Sequence, residues 1–212
     1  MAVARPIQAM LIAAALLAAF GVAGAGLVAL TYQSTAARIA ANEREALLDQ
    51  IGRIVPADRI DNDPLTDVVA VQDPAMLGAR RTTVYRGRLA GAPAAAVFSP
   101  VEAKGYAGPI RLIVAVLADG SLGGVRVLSQ HETPGLGDKI EEHKSDWVHS
   151  FDGRSLTDPD ERRWKVKRDG GVFDQFTGAT VTPRSVVFAV KQTLHYARDH
   201  WDELFAAPAA EG

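Results

Sequence analysis

An uncharged, apolar run near the amino terminus constrains this chain most. The 24 residues 7–30 carry no charge, and Gln8 is their only strongly polar side chain. As a helix they would extend about 36 Å, compared with about 30 Å for the hydrocarbon core of a bilayer. We therefore predict one transmembrane helix over residues 7–30. A cleaved signal peptide is the alternative because Ala23-Gly24-Ala25 resembles a cleavage site, although the apolar run continues to Leu30.

The rest of the chain suits one globular domain. The whole sequence has 212 residues, with 23 basic and 25 acidic side chains, and this balance gives no indication of a nucleic-acid-binding surface. It has no cysteine, which excludes disulfides, cysteine-ligated iron–sulfur clusters and thioether-linked haem. His195 and His200 are five positions apart and do not share a helical face, so we predict no metal site. If the chain carries electrons, its cofactor must be held in another way.

Hydrophobic patterning after the apolar run predicts an α+β domain with a mainly antiparallel sheet and flanking helices. Asp119-Gly120 is typical of a hairpin turn. The predicted strands cover residues 82–89, 94–98, 110–117 and 122–128, with a further possible strand at 164–167.

Helices are predicted on both sides of these strands. A helical connector continues from the membrane and ends at Pro56, and a short helical stretch covers residues 138–151. The last helix is predicted to have Thr182 as its N-cap and Pro183 as its first residue. The resulting organisation is an N-terminal segment 1–6, a span 7–30, a connector 31–56, a domain 57–205 and a flexible tail 206–212.

The segment from Asp174 to Thr180, with the sequence DQFTGAT, lies immediately before the last helix. The first turn of a helix has unpaired backbone N–H groups and the positive end of the helix dipole, and both favour an anion. Arg184 lies in the same turn and would add a positive charge. Small residues before Thr180 leave the backbone open to a bulky ligand, and the threonine hydroxyl can form a phosphoester. An ordinary turn before a helix is the alternative.

This segment resembles the flavinylation motif of the FMN-binding domain family, in which an acidic residue is followed by Ser/Thr-Gly-Ala-Thr. The resemblance implies that Thr180 carries FMN through a phosphoester, and that a flavin transferase installs it. It places Asp174, Thr177, Gly178 and Ala179 in the recognition motif. Since like charges repel, we expect Asp174 to contact the transferase or its metal ion rather than the phosphate.

Two more blocks resemble the same family, GYAGPI at residues 105–110 and HETPGLG at 131–137. The sequences DKI at 138–140 and KSDW at 144–147 are similar to the version in the RnfG component of Rnf electron-transport complexes. The flavin-bearing NqrC component of the sodium-pumping NADH:quinone reductase is the alternative, because it shares the flavin motif.

The Rnf resemblance implies a component of a redox-driven ion translocase, without a substrate-turnover site of its own. Such complexes exchange electrons between ferredoxin and NAD and couple this exchange to sodium or proton movement. The chain is then expected to be a single-pass protein of the bacterial inner membrane, with its N-terminal segment in the cytoplasm, its FMN domain in the periplasm and the other Rnf proteins as partners.

The glycine-rich loop after the predicted hairpin is expected to approach the flavin ring. Glu132 and Thr133 are its hydrogen-bonding candidates, and Leu136 and Gly137 complete the predicted contacts. Two other functions stay open. A cofactor-free, membrane-anchored assembly module would leave Thr180 unmodified, whereas a free-standing flavin reductase is disfavoured because no strand leads into a Gly-x-Gly-x-x-Gly turn.

Overall fold

The computed structural model describes residues 4–209, with side chains from residue 8 onward. Parts of the predicted end segments, residues 1–3 and 210–212, lie outside this range. The chain divides into two compact units, Met1–Leu47 and Leu48–Gly212.

Helix α1 covers Ala4–Ile54, so it includes residues 7–30 and continues as helix through most of the predicted connector. Its apolar side chains are exposed on every side: Leu11 is 65%, Leu17 74% and Phe20 79% exposed. The most apolar 18-residue window has a mean hydropathy of 2.3, and none of it is buried. A helix that is apolar around its whole circumference needs apolar surroundings. By length and composition α1 can cross a membrane.

The second unit contains one antiparallel meander of five strands in the order β1-β2-β3-β4-β5. This topology confirms the predicted α+β class with a mainly antiparallel sheet. The strands are β1 (Val68–Val71), β2 (Thr82–Leu89), β3 (Ala92–Lys104), β4 (Pro109–Leu117) and β5 (Leu122–Ser129).

Two sequence predictions about local structure are wrong. The strand predicted at residues 164–167 is an isolated bridge between Val166 and Phe173, followed by a 3-10 turn at Lys167–Asp169. The helical stretch predicted at 138–151 is two 3-10 helices, Gly137–Ile140 and Asp146–Phe151. In both regions aromatic packing determines the path: the Phe151 ring stacks on Phe173 with centroids 4.7 Å apart.

Helix α2 (Pro74–Leu77) is a single turn, and helix α3 (Val181–Ala206) is the long C-terminal helix. One face of α3 is an apolar stripe that packs into the core, because Val187, Val190 and Leu194 are each at most 2% exposed. They belong to one core cluster with the alternating residues Leu112 and Val114 of β4, as the period of two in a strand requires.

The last turn of α1 belongs to the second unit and lies against β5. Ile51 and Ile54 are each 1% exposed. A Cβ atom at Gly123 would lie 2.3 Å from the Ile54 carbonyl oxygen and 3.4 Å from the Ala115 Cβ atom. Only glycine permits this approach of helix to strand. The turn therefore covers the sheet face to which Ala115 points.

Two arginines of β2 hold the C-terminal end of α3. Arg86 is 1% exposed, and its guanidinium donates to the carbonyls of Leu204 at 2.9 Å and Ala207 at 2.5 Å. Arg86 and Arg88 both pair with Asp67. Burial raises the pKa of the Asp67 carboxyl, but the two guanidinium groups outweigh burial and bring this pKa below its usual value. The helix end is thus fixed to β2.

Candidate functional site

A pocket of about 370 Å³ lies where α3 begins. Three separate segments form its walls: the turn between β3 and β4, the loop after β5, and the residues that lead into α3. The lining residues are Tyr106, Glu132, Thr133, Leu136, Gly137, Gly178, Ala179, Thr180 and Val181. The structure thus brings the predicted loop and the predicted motif to one place.

Thr180 occupies the N-cap position of α3, and its side chain makes no capping hydrogen bond to any described residue. Its carbonyl accepts the first helical bond, from the Arg184 N–H, at 3.4 Å. The side chain is half-buried. A threonine at an N-cap normally uses its hydroxyl oxygen to accept from a backbone amide, so this hydroxyl is uncommitted at the pocket.

The predicted N-cap, Thr182, is wrong: α3 begins two residues earlier. Thr182 lies inside the first turn, is 0% exposed and donates its hydroxyl to the Glu132 carboxylate. Pro183 is still compatible with the first turn, where a missing N–H leaves no helical bond unmade. The local sequence pattern predicted that the Thr182 hydroxyl caps the helix, but this hydroxyl donates to Glu132, a residue 50 positions away in sequence.

A tight turn presents the residues before Thr180. The Ala179 N–H donates to the Phe176 carbonyl at 3.1 Å, and Gly178, the third residue of the turn, has φ +84°. Type II turns require this conformation at that position and glycine adopts it without strain. Thr177 and Gly178 are both exposed to solvent. Thr177 belongs to the predicted motif but does not line the pocket.

Asp174, the acidic residue of the motif, does not line the pocket. Its carboxylate pairs with Lys167 Nζ at 2.6 Å, with both side chains more than half exposed. Its backbone carbonyl accepts from Trp147 Nε1 at 2.8 Å, which attaches the motif to this buried tryptophan side chain. The carboxylate stays accessible to a protein that approaches from solvent.

Arg184 is predicted from sequence to add positive charge near Thr180, but the structure pairs it elsewhere. Its Nε and one terminal nitrogen each donate to the Asp169 carboxylate at 2.6 Å. These hydrogen bonds lower the pKa of the Asp169 carboxyl and raise that of Arg184. Such bidentate pairs are strong and directional, so Arg184 is committed to Asp169.

The loop after β5 is fixed at both ends. Glu132 begins it with a buried carboxylate, 5% exposed, and Gly137 is followed by Asp138, which is 2% exposed. Asp138 accepts from Lys144 Nζ at 2.7 Å, and this hydrogen bond lowers the pKa of its carboxyl. Between these ends Thr133 and Leu136 are exposed towards the pocket. The loop therefore forms a stable wall with an accessible surface.

Two lining residues, Tyr106 and Val181, were not predicted as site residues. Tyr106 is 77% exposed and Val181 is 45% exposed. For Tyr106, the only signal in the sequence was an aromatic residue within a glycine-rich turn. Such a turn has no periodic pattern from which a site residue could be predicted.

The described part of the chain, residues 4–209, contains no group of three metal-ligating side chains. Among the described residues that line the pocket, none is basic. Positive potential at Thr180 therefore comes from the first-turn amides and the dipole of α3.

Comparisons with known proteins identify both parts of the chain. The FMN-binding domain model matches residues 105–195, and the RnfG N-terminal region model matches residues 1–54. The G component of the ion-translocating oxidoreductase complex of Pseudomonas aeruginosa is 47% identical over 206 residues, which cover 97% of this chain and 96% of that protein. The corresponding proteins of Cereibacter sphaeroides and Vibrio cholerae are 47% and 42% identical and cover 92% and 91% of this chain, and 88% and 92% of their own length.

Among solved structures, the C component of the Na⁺-translocating NADH-quinone reductase from Parabacteroides distasonis aligns with a TM-score of 0.48 at 16% identity. This alignment covers 79% of this chain and 96% of that one. The three sequence relatives match over nearly their whole length, and all three bear the name of the same component of the ion-translocating oxidoreductase complex. The chain therefore belongs to the RnfG family of the Rnf ion-translocating oxidoreductase complex, and it contains an FMN-binding domain.

Proposed function

We propose that the chain is the electron-relay component of an Rnf complex and carries FMN covalently on Thr180. The observation that carries this proposal is the uncommitted Thr180 hydroxyl at a pocket beside the start of α3. The recognition motif includes Asp174, Thr177, Gly178 and Ala179, and a flavin transferase attaches the cofactor.

The start of α3 suits the phosphate of this linkage. The amides of Val181 and Thr182 precede the first residue that can complete a helical bond, so they are available as donors. With no basic side chain among the described lining residues, these amides and the helix dipole stabilise the negative charge. Arg184 does not contribute, because it remains with Asp169.

The pocket also suits an aromatic ring system. A volume of about 370 Å³ lies in the usual range for small-molecule sites, about 300–1,000 Å³. Tyr106, Leu136 and Val181 give it an apolar rim, and Thr133, which also lines the pocket, would offer its hydroxyl to a polar ring edge. FMN supplies the electron-accepting ring, while the chain supplies position and surroundings. An accessible rim permits a redox partner to approach.

The first experiment tests the linkage. The full chain is produced with an active flavin transferase, separated on a denaturing gel and inspected for flavin fluorescence, and its intact mass is measured. Wild type should give a fluorescent band and the FMN mass increment, and Thr180→Val should give neither. Thr193→Val is the matched control because Thr193 is a buried threonine of the same helix that bonds within α3, to the Ala189 carbonyl.

Fluorescence that persists in Thr180→Val would show that the linkage is assigned to the wrong residue. A wild-type mass equal to the bare polypeptide would instead favour the cofactor-free assembly module. Hydride transfer from NADH to the isolated chain would favour a free-standing reductase.

We further propose that α1 anchors the chain in the inner membrane, with residues 1–6 in the cytoplasm and the FMN domain in the periplasm. In this position the domain would relay electrons within a complex that couples ferredoxin–NAD exchange to sodium or proton movement. The sequence has no cysteine, so one introduced cysteine reports orientation cleanly. Asp119→Cys, at an exposed turn, should react with a membrane-impermeant maleimide in intact spheroplasts. Labelling only after lysis would reverse the proposed orientation.

A further inference from the structure

One buried carboxylate lies where the three walls of the pocket meet. The Glu132 Oε1 atom accepts from the backbone N–H of Ala107, in the turn between β3 and β4, at 3.1 Å. The Oε2 atom accepts the hydroxyl of Thr182, in the first turn of α3. Glu132 itself lies in the loop that follows β5. A single side chain therefore connects all three segments that line the pocket.

Two glycines make room for this carboxylate. A Cβ atom at Gly105 would lie 2.4 Å from Glu132 Oε1, and one at Gly137 would lie 2.7 Å from Oε2. Both distances are far below a normal contact, about 3.5–4.0 Å between carbon atoms. The carboxylate therefore occupies space that a side chain at either position would need, and the surrounding backbone is shaped around it.

The backbone of Glu132 is held as well. Its N–H donates to the Gln130 side-chain oxygen, and the Gln130 amide nitrogen donates to Glu141 at 2.6 Å. Both carboxylate oxygens of Glu132 act as acceptors, which is the hydrogen-bonding pattern of an ionised carboxylate. A buried charge of this kind is stabilised only while its donors stay in place.

We propose that Glu132 is a positioning residue that, through Thr182 and Ala107, fixes the three pocket walls relative to one another. This inference rests on the proposed function. Thr180 lies two residues before Thr182 at the start of the same helix, so the Glu132–Thr182 hydrogen bond also orients the attachment point. A flavin ring tethered there then has one preferred orientation between the loop and the Tyr106 turn.

Breaking this connection should loosen the ring without releasing it, because the phosphoester does not depend on Glu132. Thr182→Val removes the hydroxyl and keeps the branched shape. Thr182→Ser keeps the hydroxyl and should restore the connection. Thr193→Val again removes a buried α3 hydroxyl, here one whose acceptor lies within the helix, and it does not touch the pocket.

Two substitutions at Glu132 separate position from charge. In Glu132→Gln the amide oxygen can accept from Ala107 while the amide nitrogen donates to the Thr182 oxygen, so both connections persist without the negative charge. Glu132→Ala removes both connections. We expect the glutamine variant to keep the ring order of wild type and to show a higher flavin midpoint potential, because a nearby negative charge disfavours the gain of an electron by the flavin. The alanine variant should lose ring order.

The test uses the full-length chain, produced with the transferase and purified in detergent, with flavin loading checked by in-gel fluorescence. Time-resolved fluorescence anisotropy then reports motion of the attached flavin in the loaded molecules. Thr182→Val and Glu132→Ala should show a larger fast depolarisation component than wild type. Thr182→Ser, Glu132→Gln and Thr193→Val should match wild type.

Wild-type anisotropy in loaded Thr182→Val would overturn the inference. An equal loss of anisotropy in Thr193→Val would also overturn it, because this result would indicate a general effect of removing a buried hydroxyl. If Glu132→Ala does not fold, the comparison of Thr182→Val with Thr182→Ser still decides. Absence of flavin from wild type would overturn the proposed function instead, so the two failures are distinguishable.

Discussion

Gly137 packs directly against the Glu132–Thr182 pair, and Gly137→Ala tests the packing around it. The added methyl would lie 2.7 Å from Glu132 Oε2, 2.8 Å from Glu132 Cβ and 2.9 Å from Thr182 Oγ1. None of these atoms can move aside freely, because Glu132 is held by its backbone and by both oxygens. The methyl must therefore displace the hydrogen-bonded pair.

The cost follows from three contributions. Overpacking a buried site costs about 1–3 kcal/mol, and weakening a hydrogen bond to a charged group costs about 1.5–3 kcal/mol. Alanine also reduces the backbone freedom of the unfolded chain, and this effect offsets about 0.4–1 kcal/mol of the loss in stability. The free energy of unfolding should fall by about 1.5–5.6 kcal/mol, which lowers Tm by roughly 3–22 °C for a unit of this size.

Thermal unfolding of the purified chain, followed by near-UV circular dichroism, measures this change. Gly52→Ala is the control: its Cβ meets no atom within 4 Å and lies in a helix, where alanine is favoured by up to about 1 kcal/mol. Its Tm should equal or exceed that of wild type. A Gly137→Ala protein as stable as wild type would show that the Glu132–Thr182 pair is loosely packed, contrary to the structure.

Other predictions concern the scaffold. Arg86→Met removes the donor to the Leu204 and Ala207 carbonyls but leaves Asp67 paired with Arg88, so it should lower the free energy of unfolding by about 1–3 kcal/mol. Arg88→Met, at an ion pair whose arginine side chain is 25% exposed, should cost less than about 1 kcal/mol; urea titration of the two variants compares these losses. The lowered pKa of Asp138 stabilises the fold above pH 3.8, and this contribution should disappear as pH falls through the lowered pKa. Urea midpoints between pH 5 and 2 should therefore fall less steeply in Lys144→Met. Gly178→Val, at φ +84°, should cost at least about 1–2 kcal/mol and reduce the fluorescent band.

Local patterning predicted the strands and helices whose burial follows a regular period. β4 and β5 flank an Asp-Gly turn, and the α3 stripe repeats at helical spacing, so sequence alone located them. β1 was missed because its four residues are all half-buried and therefore carry no alternation. Trp164 and Val166 are β-formers by type, but packing of the Trp164 ring against the Phe151 and Phe173 rings determines the path of this segment.

The candidate site was predictable as far as it is encoded by contiguous residues. The last residues of the motif, Gly178, Ala179 and Thr180, line one pocket together with the loop from Glu132. The register of the helix start was not predictable, because Thr180 and Thr182 are both acceptable N-caps. The acceptor that engages Thr182 lies 50 positions earlier. Tyr106 was not predicted as a site residue for the same reason, since only the tertiary fold brings its turn to the pocket.

The close approach of Ile54 to Gly123 has a practical consequence for anyone preparing a water-soluble fragment. Cutting at the predicted boundary of residue 57 would delete Ile51, Ile54 and Val55, each 1% exposed. At about 1.5–3 kcal/mol for each buried side chain, the fragment would lose roughly 4.5–9 kcal/mol, comparable with the whole stability of a typical domain. A fragment that starts at or before Leu48 keeps these side chains, so expression trials should retain the end of α1.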